Sequence, residues 1–213
     1  MGLSGINHLA FITKDIVTTI RFYRDLLGMD LVAGIGHDGY RHYFFRLGDE
    51  ATQVAFFEYD GARAMDRKFP GDRTAAPLGF DHVSFTVNSR AELFALKDRL
   101  EAAGTAVHGA VDHGLFWSIY FYDPNNIPLE ATWAFMDITE APAVVDDRPL
   151  DIVAEGARPQ PGHWPAVTAP TPAAEMTAHG GNALPLRRTL LAEGRVRLKD
   201  RLDAEFLDLI ATE

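Results

Sequence analysis

The sequence contains no cysteine, which excludes disulfide bonds, zinc–thiolate sites and thiol nucleophiles. It also lacks any apolar run approaching the roughly 18 residues that a transmembrane helix needs. No basic stretch followed by a long apolar one occurs at the N-terminus, so the pattern of a secretory signal is missing as well. We therefore expect a soluble protein of the cytoplasm.

Positive charge is in short supply. The 213 residues carry 20 Lys and Arg against 30 Asp and Glu, which gives a formal net charge of −10. Such a surface repels phosphate groups, so we expect neither a nucleic acid nor an anionic membrane as a partner. A chain of this length is sufficient for one ordinary domain or for two small modules that share a core.

The first 133 residues contain one structural pattern twice. In the first copy, a strand-like run at residues 6–13 precedes a helix that Asp15 caps and Gly28 ends. Ile16 and Ile20 recur in that helix at the spacing of one buried face. Three further strand-like runs follow, separated by glycine-rich turns, at residues 30–35, 41–47 and 53–59.

The second copy repeats this order of elements. A strand-like run at residues 80–87 leads to a helix with Ser89 and Glu92 in a capping-box arrangement, and Gly104 ends that helix. Strand-like runs then occupy residues 106–111, 115–122 and 127–132. The prediction is an α+β fold of two βαβββ modules. The modules lie at residues 1–59 and 79–133, with a linker at residues 60–78.

The segment after Trp133 has a different composition. Eight of the 12 prolines lie in it, and residues 159–172 are too rich in Pro, Ala and Thr to bury a core of their own. Apolar residues at four-residue spacing predict an amphipathic helix over about residues 194–211. These residues are Leu198, Leu202, Phe206 and Ile210. We interpret residues 134–213 as an extended tail that contacts a second copy of the chain, and we predict a homodimer.

Two of the eight histidines occupy equivalent places in the two copies. His8 is the third residue of the first strand in one copy, and His82 is the third residue of the first strand in the other, 74 residues later. Successive side chains of a strand point to opposite faces of the sheet. Val83 and Phe85 form the apolar row that packs under the helix, so His82 lies on the other face. By the symmetry of the repeat, His8 does too.

A carboxylate is predicted on the same face as the histidines. Leu129 and Ala131 form the apolar side of the last strand, so Glu130 points the other way. Burying that charge among imidazoles is costly unless a cation compensates it. Two histidines and one carboxylate with open positions form the facial arrangement that non-haem iron(II) enzymes use. We therefore predict a divalent metal site of His8, His82 and Glu130.

Three stretches carry a family resemblance. They are residues 7–11 with 20–29 (NHLAF, IRFYRDLLGM), residues 80–85 (FDHVSF) and residues 118–130 (SIYFYDPNNIPLE). They resemble the vicinal oxygen chelate superfamily, which includes glyoxalase I, extradiol dioxygenases, bleomycin- and fosfomycin-resistance proteins and methylmalonyl-CoA epimerase. Asn126 stands where the superfamily's turn has glycine, and asparagine also tolerates a positive φ. The resemblance covers residues 5 to 133 and implies a curved, partly closed eight-stranded mixed sheet around one cavity, with the helices outside.

The resemblance implies an enzyme of one of two classes. Extradiol ring-cleaving dioxygenases bind iron(II) or manganese(II) through His, His and Glu alone and leave space for a vicinal aromatic diol and dioxygen. By this resemblance, Tyr120 donates a hydrogen bond to the bound phenol oxygen, and His113 is the proton-transfer candidate. Thr52 and Gln53 replace the usual acid–base histidine of these enzymes, so His113 or His42 would take its part. We predict this class, with a small aromatic diol as the substrate.

Glyoxalase I-like lyases are the alternative class, and they bind zinc(II) or nickel(II) with a fourth ligand from the last strand of the first module. Glu58 is the candidate for that ligand. A rigid 74-residue offset pairs Glu130 with Phe56, and Glu58 lies two positions further along the same face. A third possibility is a non-catalytic small-molecule binding or resistance protein with an aromatic groove. The aromatic residues available for a planar substrate are Phe44, Phe56, Phe116, Trp117 and Tyr120.

Overall fold

The computed structural model describes residues 6–37, 40–48, 52–73, 80–141, 143, 157–158, 162, 165–181, 183–200, 202–204 and 206–207. The chain separates into two compact units, Met1–Pro159 and Gln160–Glu213. The first unit holds both predicted modules, and the second holds most of the predicted tail.

The first module begins with strand β1 (His8–Thr13) and a helix in two parts. The first part is α-helical (α1, Ile16–Ile20), and the second part is a π-helix (Arg21–Leu26). The Asp15 carboxylate accepts a hydrogen bond from the Thr18 N–H at 3.0 Å, as the predicted cap requires. Strands β2 (Asp30–His37), β3 (Tyr40–Arg46) and β4 (Gln53–Glu58) complete the module.

The second module repeats the arrangement with strand β5 (Val83–Thr86) and helix α2 (Arg90–Ala102). The Ser89 hydroxyl accepts a hydrogen bond from the Glu92 N–H at 3.1 Å. The Glu92 carboxylate accepts one from the Asn88 N–H at 2.9 Å, so the predicted capping box forms with its second bond one residue earlier. Strands β6 (His108–Asp112), β7 (Phe116–Tyr122) and β8 (Pro128–Ala134) follow.

The two modules have the same sheet topology. Hydrogen bonding orders the strands as β1-β4-β3-β2 and as β5-β8-β7-β6. In each sheet the first and last strands are parallel and the other neighbours are antiparallel. The predicted α+β fold of paired βαβββ modules is confirmed. Within the described residues, its eight strands form two four-stranded mixed sheets.

One apolar core joins the two modules. Large fully buried members are Tyr23, Phe45, Phe56, Leu93, Leu100, Ile119 and Leu129. Polar contacts also cross between the modules: the Thr13 hydroxyl donates to Asn125 Oδ1 at 2.9 Å, and the Tyr23 hydroxyl donates to Asp123 at 3.3 Å. Asn126 has a φ of 61°, so asparagine occupies the turn position where the superfamily has glycine. The core packs on one face of each sheet, and the opposite face carries exposed side chains.

The second unit is mostly irregular where it is described. It contains a short 3-10 helix (Ala173–Glu175) and helix α3 (Leu184–Ala192). The predicted helix over residues 194–211 is wrong at its start, because residues 195–200 are not helical. Gly194 has a φ of 67° and its N–H bonds the Leu191 carbonyl, so this glycine ends α3 rather than beginning a new helix. Residues 204, 206 and 207 are helical, and the rest of the predicted stretch, including Ile210, lies outside the described residues.

No helix in these described ranges is both long and apolar enough to cross a membrane.

Candidate metal centre and active site

The open face of the second sheet is polar. Strand alternation places Val83 in the core and leaves Ser84 and Thr86 exposed on the opposite side of β5. The β5–β8 register sets Ser84 beside Glu130, and the β7–β8 register sets Tyr120 beside it on the other flank. This face therefore gathers its hydrogen-bonding groups around one buried carboxylate.

His82 and Glu130 are in direct contact. The His82 Nε2 and Glu130 Oε2 atoms are 3.0 Å apart, and Glu130 is only 5% exposed. Two donor atoms that each lie about 2.1 Å from a metal ion, at right angles to one another, are about 3.0 Å apart. The observed separation therefore fits two neighbouring ligands of one divalent ion. It equally fits a hydrogen bond between the two side chains in the absence of metal.

Glu130 is held as an anion. Burial by itself raises the pKa of this carboxyl group. Hydrogen bonds from Ser118, Tyr120 and Ser84, together with the charge of His82, outweigh burial and bring the pKa of Glu130 below its ordinary value. A buried, ionised carboxylate with an imidazole nitrogen beside it is an appropriate donor set for a divalent cation.

The other ring nitrogen of His82 also has a partner. Its Nδ1 lies 2.6 Å from Asp81 Oδ1. The pKa of Asp81 lies well below its ordinary value because of hydrogen bonds from His82 and Lys68, so this partner is anionic. Metal-binding histidines usually bond a carboxylate or carbonyl through the nitrogen that does not face the metal. His82 therefore has one nitrogen anchored and the other directed at Glu130.

Tyr120 and His113 form a second pair next to Glu130. The Tyr120 hydroxyl and His113 Nε2 are 2.7 Å apart. Burial and the neighbouring Glu130 charge raise the pKa of Tyr120 to about 12, so its phenol stays protonated at neutral pH. His113 itself is exposed, at the edge of the site. The residues predicted separately as oxyanion donor and proton carrier are thus hydrogen-bonded to one another.

His8 lies on the open face of the first sheet, exposed, with its ring 5.6 Å from that of Phe44. Its Nδ1 is 2.8 Å from the Asn7 side-chain oxygen. In the part of the chain that the structure describes, no three His, Asp or Glu side chains are close enough together to hold a metal ion. One chain therefore brings His82 and Glu130 together but does not bring His8 to them.

Glu58 does not occupy the position equivalent to Glu130. In the second sheet, Glu130 pairs with Ser84 of the first strand and Tyr120 of the third. In the first sheet, Ala55 pairs with Ala10 and Phe44 of the corresponding strands. Ala55 is therefore the residue equivalent to Glu130. The rigid 74-residue offset, which pointed to Phe56, was wrong by one residue. Glu58 is three residues beyond Ala55 and so lies on the opposite face.

The Glu58 carboxylate is engaged at the start of α1. It accepts a hydrogen bond from the Ile16 N–H at 2.9 Å and forms an ion pair with Arg41 at 2.5 Å. A carboxylate that accepts a hydrogen bond from the first residue of a helix stabilises the helix N-terminus, and the ion pair ties the same carboxylate to β3. In the described geometry the Glu58 carboxylate therefore has structural partners on the face opposite to that of Ala55.

The predicted aromatic lining needs correction. Phe56 and Trp117 belong to the core side of their sheets, since Phe56 pairs with Phe11 and Trp117 packs against Trp133. Phe44, Phe116 and Tyr120 face the open side by alternation.

The sequence did not reveal a stacked pair on the first sheet. The His42 and Phe57 rings stack at 3.6 Å with an interplanar angle of 13°. His42 is 9% exposed, its Nε2 has no hydrogen-bond partner in the described structure, and burial followed by the charge of His8 lowers its pKa. The sequence reasoning did not identify Ser84 and Ser118 as hydrogen-bond donors to Glu130, although strand alternation from His82 and from Tyr120 places each serine on the open face.

Comparisons with known proteins agree with this geometry. A candidate ring-cleaving dioxygenase of Bacillus subtilis (strain 168), MhqE, is 28% identical over 136 residues, which are 61% of this chain and 41% of that protein. The chain therefore spans about two-fifths of the length of this curated relative. A glyoxylase/bleomycin resistance protein/dioxygenase domain from Frankia sp. EAN1pec superposes with a TM-score of 0.54 at 27% identity, over 63% of this chain and 100% of that one.

The fosfomycin resistance protein FosX of Listeria monocytogenes shares the fold, with a TM-score of 0.50 and 20% identity over 63% of this chain and 97% of that one. The profile of the Glyoxalase/Bleomycin resistance protein/Dioxygenase superfamily matches residues 5–131, which include both modules and more than half of the chain. Paired βαβββ modules and a profile match of this extent lead to one conclusion: the chain belongs to the Glyoxalase/Bleomycin resistance protein/Dioxygenase superfamily.

Proposed function

We propose that this protein is a metal-dependent enzyme whose ion is bound by His8, His82 and Glu130, and that it is a ring-cleaving dioxygenase of the extradiol type. The proposed substrate is a small aromatic diol, with dioxygen as the second substrate and iron(II) or manganese(II) as the metal. Similarity to a candidate ring-cleaving dioxygenase supports this class.

The observation that carries the proposal is a connected row of side chains on the open face of the second sheet. His82 contacts Glu130, Glu130 accepts a hydrogen bond from Tyr120, and Tyr120 contacts His113. The proposed metal ligands thus lie beside Tyr120, the proposed hydrogen-bond donor, and near His113, the proposed proton carrier. A substrate oxygen next to Glu130 would be within reach of Tyr120 as well.

Each group in this row has a defined part in the proposed reaction. The protonated phenol of Tyr120 donates a hydrogen bond to the substrate oxygen on which negative charge develops. His113, exposed and bonded to Tyr120, carries a proton between the site and solvent. An iron(II) or manganese(II) ion held by His8, His82 and Glu130 would supply open coordination positions for a vicinal diol and dioxygen and a route for electron density between them.

The third proposed ligand, His8, has to come from another copy of the chain in this proposal. His8 is exposed, and the described residues of one chain do not bring it to His82 and Glu130. We propose that His8 comes from a second copy of the chain, so that each of two sites in a homodimer combines the first sheet of one copy with the second sheet of the other. Exposed apolar residues beside the two histidines, Ile6, Ile12 and Phe80, support such a contact. The tail contact between copies stays a prediction.

The glyoxalase I-like alternative needs Glu58 as a ligand to zinc(II) or nickel(II). The contacts of Glu58 with the Ile16 N–H and Arg41 weigh against it, as does Ala55 at the position equivalent to Glu130. A non-catalytic binding or resistance protein has no need of a buried carboxylate paired with an anchored imidazole. The presence of that pair in this chain favours an enzyme.

Metal analysis of protein purified without oxygen, followed by dioxygen uptake with a panel of catechols and hydroquinones, tests the proposal. We expect one iron or manganese per site and uptake that depends on the diol. Turnover that is indifferent to the removal of oxygen would contradict the dioxygenase and favour the isomerase. Protein that binds diols but neither metal nor oxygen would favour the binding protein.

A further inference from the structure

Part of the segment between the two modules, predicted as a linker, is hydrogen-bonded to the second module. We call residues 65–71 the strap. At one end of the strap, the Met65 N–H donates to the Asn125 carbonyl at 2.8 Å, and the Asn126 side chain donates to the Met65 carbonyl at 2.8 Å. The Arg67 Nε donates to the Asn126 side-chain oxygen at 2.9 Å. This end is therefore fixed to the turn that precedes β8.

The middle of the strap crosses the open face of β7. The Tyr122 hydroxyl donates to the Lys68 carbonyl at 2.8 Å. The Phe69 ring lies 5.4 Å from the ring of Tyr120 and 4.8 Å from that of His108. These contacts bring the strap next to the proposed site rather than leaving it in solvent.

The far end of the strap holds Asp81. The Lys68 ammonium lies 2.5 Å from Asp81 Oδ2, and the Gly71 N–H donates to Asp81 Oδ1 at 3.1 Å. Asp81 Oδ1 also contacts His82 Nδ1 at 2.6 Å, and His82 Nε2 contacts Glu130. A continuous chain of charged contacts thus runs from the strap to the proposed metal ligands.

We propose that Asp81 is a positioning residue for the metal site and that the strap keeps it in place. The inference rests on the proposed function, in which His82 is a metal ligand. An imidazole with no partner at Nδ1 is free to rotate and to exchange which nitrogen carries the proton. The Asp81 carboxylate fixes the orientation of the His82 ring and keeps the proton on Nδ1. It also increases the basicity of the nitrogen that faces Glu130. Lys68 and the Gly71 amide hold the carboxylate at the orientation that does this.

Zinc affinity measured by competition with a chelator tests the inference, because zinc is redox-inert and needs no turnover. Asp81→Asn keeps the size of the side chain and removes its charge, and we expect zinc binding to weaken about 10- to 100-fold. Lys68→Met removes the cation that orients Asp81, and we expect a smaller loss in the same direction. Lys97→Met is the matched control, since Lys97 forms an ion pair with Glu101 on α2, at 2.6 Å and away from the site. Its zinc affinity should equal that of the wild type.

Nitrogen-15 NMR of the histidine rings in the zinc-loaded protein gives a readout that a purely structural role would not move. The wild type should show His82 protonated at Nδ1 and bound through Nε2, whereas Asp81→Asn should show mixed binding or an exchanging ring. If Asp81→Asn fails to fold, Lys68→Met carries the same test. Unchanged zinc affinity and an unchanged His82 signal in the variant that folds would overturn this inference alone. A wild type that binds no zinc would overturn the proposed function and this inference with it.

Discussion

The two modules place different side chains at equivalent positions of their open faces. Where the second sheet has Glu130 and Tyr120, the first has Ala55 and Phe44. On the core side the equivalent positions stay apolar, as Leu129 and Val54 illustrate. Burying a large apolar side chain contributes about 1.5–3 kcal/mol, so the core side tolerates little change while the open side is free to differ.

This difference indicates a division of work between the sheets. The second sheet carries the carboxylate, its hydrogen-bond donors and one anchored imidazole. The first sheet carries His8, the aromatic ring of Phe44 and the stacked pair of His42 and Phe57. We infer that the second sheet supplies the polar half of a site and the first supplies one ligand and an aromatic wall. The predictions below test this division, starting with the largest expected effect.

Glu130→Ala should abolish stoichiometric metal binding, because it removes the only carboxylate in the proposed site. Glu58→Ala is the comparison in the first module, and it should keep full metal content. It should lower the free energy of unfolding by about 0.3–1 kcal/mol through the weakened start of α1. Metal analysis and chemical denaturation of both variants are the measurements. Loss of metal in Glu58→Ala as well as in Glu130→Ala would make Glu58 a fourth ligand and support the glyoxalase-like alternative, whereas full metal content in Glu130→Ala would remove Glu130 from the proposed site.

Tyr120→Phe should lower turnover by about ten- to a thousandfold with metal still bound, as expected for the loss of one hydrogen-bond donor to a developing oxyanion. Phe44 is the residue of the first sheet equivalent to Tyr120, so this variant has phenylalanine at that position in both sheets. Tyr59→Phe is the matched control, since it removes a hydroxyl from a tyrosine that directly follows β4 in the first module and is 42% exposed. The measurement is the steady-state turnover of each variant, with its metal content determined in parallel. Equal turnover in Tyr120→Phe and wild type would remove Tyr120 from the mechanism.

The helix caps of the two modules should respond differently to acid. Ser89→Ala should destabilise the protein by about 0.5–2 kcal/mol at any pH, because a serine cap does not titrate. Hydrogen bonds from Thr18 lower the pKa of Asp15 from 3.8, so its stabilising effect is complete above pH 3.8 and is lost as pH falls through the lowered value. Asp15→Ala should thus destabilise at neutral pH and have little effect in strong acid. Chemical denaturation of both variants at neutral pH and in strong acid measures these effects. A destabilisation by Asp15→Ala that persists in strong acid would contradict this account.

The faces of the site residues could be predicted from the sequence because strand alternation is a local rule. It placed His82 and Glu130 on one side of their sheet and His8 on the matching side of its own. Register depends on hairpin lengths that a rigid repeat ignores. Equivalent residues of the two modules are 74 positions apart in the first strands, β1 and β5, and 75 positions apart in the last strands, β4 and β8. The residue equivalent to Glu130 is therefore Ala55 and not Phe56.

Contacts between distant segments could not be predicted in the same way. The sequence identified the linker as irregular, but nothing in its composition indicated that Lys68 reaches Asp81 or that Phe69 faces Tyr120. The tail illustrates a different error. Four-residue apolar spacing predicted a helix that begins at Gly194, whereas this glycine ends the preceding helix. The spacing of apolar residues reveals an amphipathic face. It does not tell whether a glycine ends one helix or precedes the next.

Coexpression of two inactive variants tests most directly whether the two sheets of different copies combine into one metal site. His8→Ala and Glu130→Ala should each bind no metal alone. In a mixed dimer, one site keeps the intact His8 of one copy and the intact Glu130 of the other, so coexpression in equal amounts should restore about a quarter of the wild-type metal content. Purification through different tags on the two variants isolates the mixed dimer, which should hold one metal ion. No recovery of metal in that mixed dimer would contradict the account and place all three ligands within one chain.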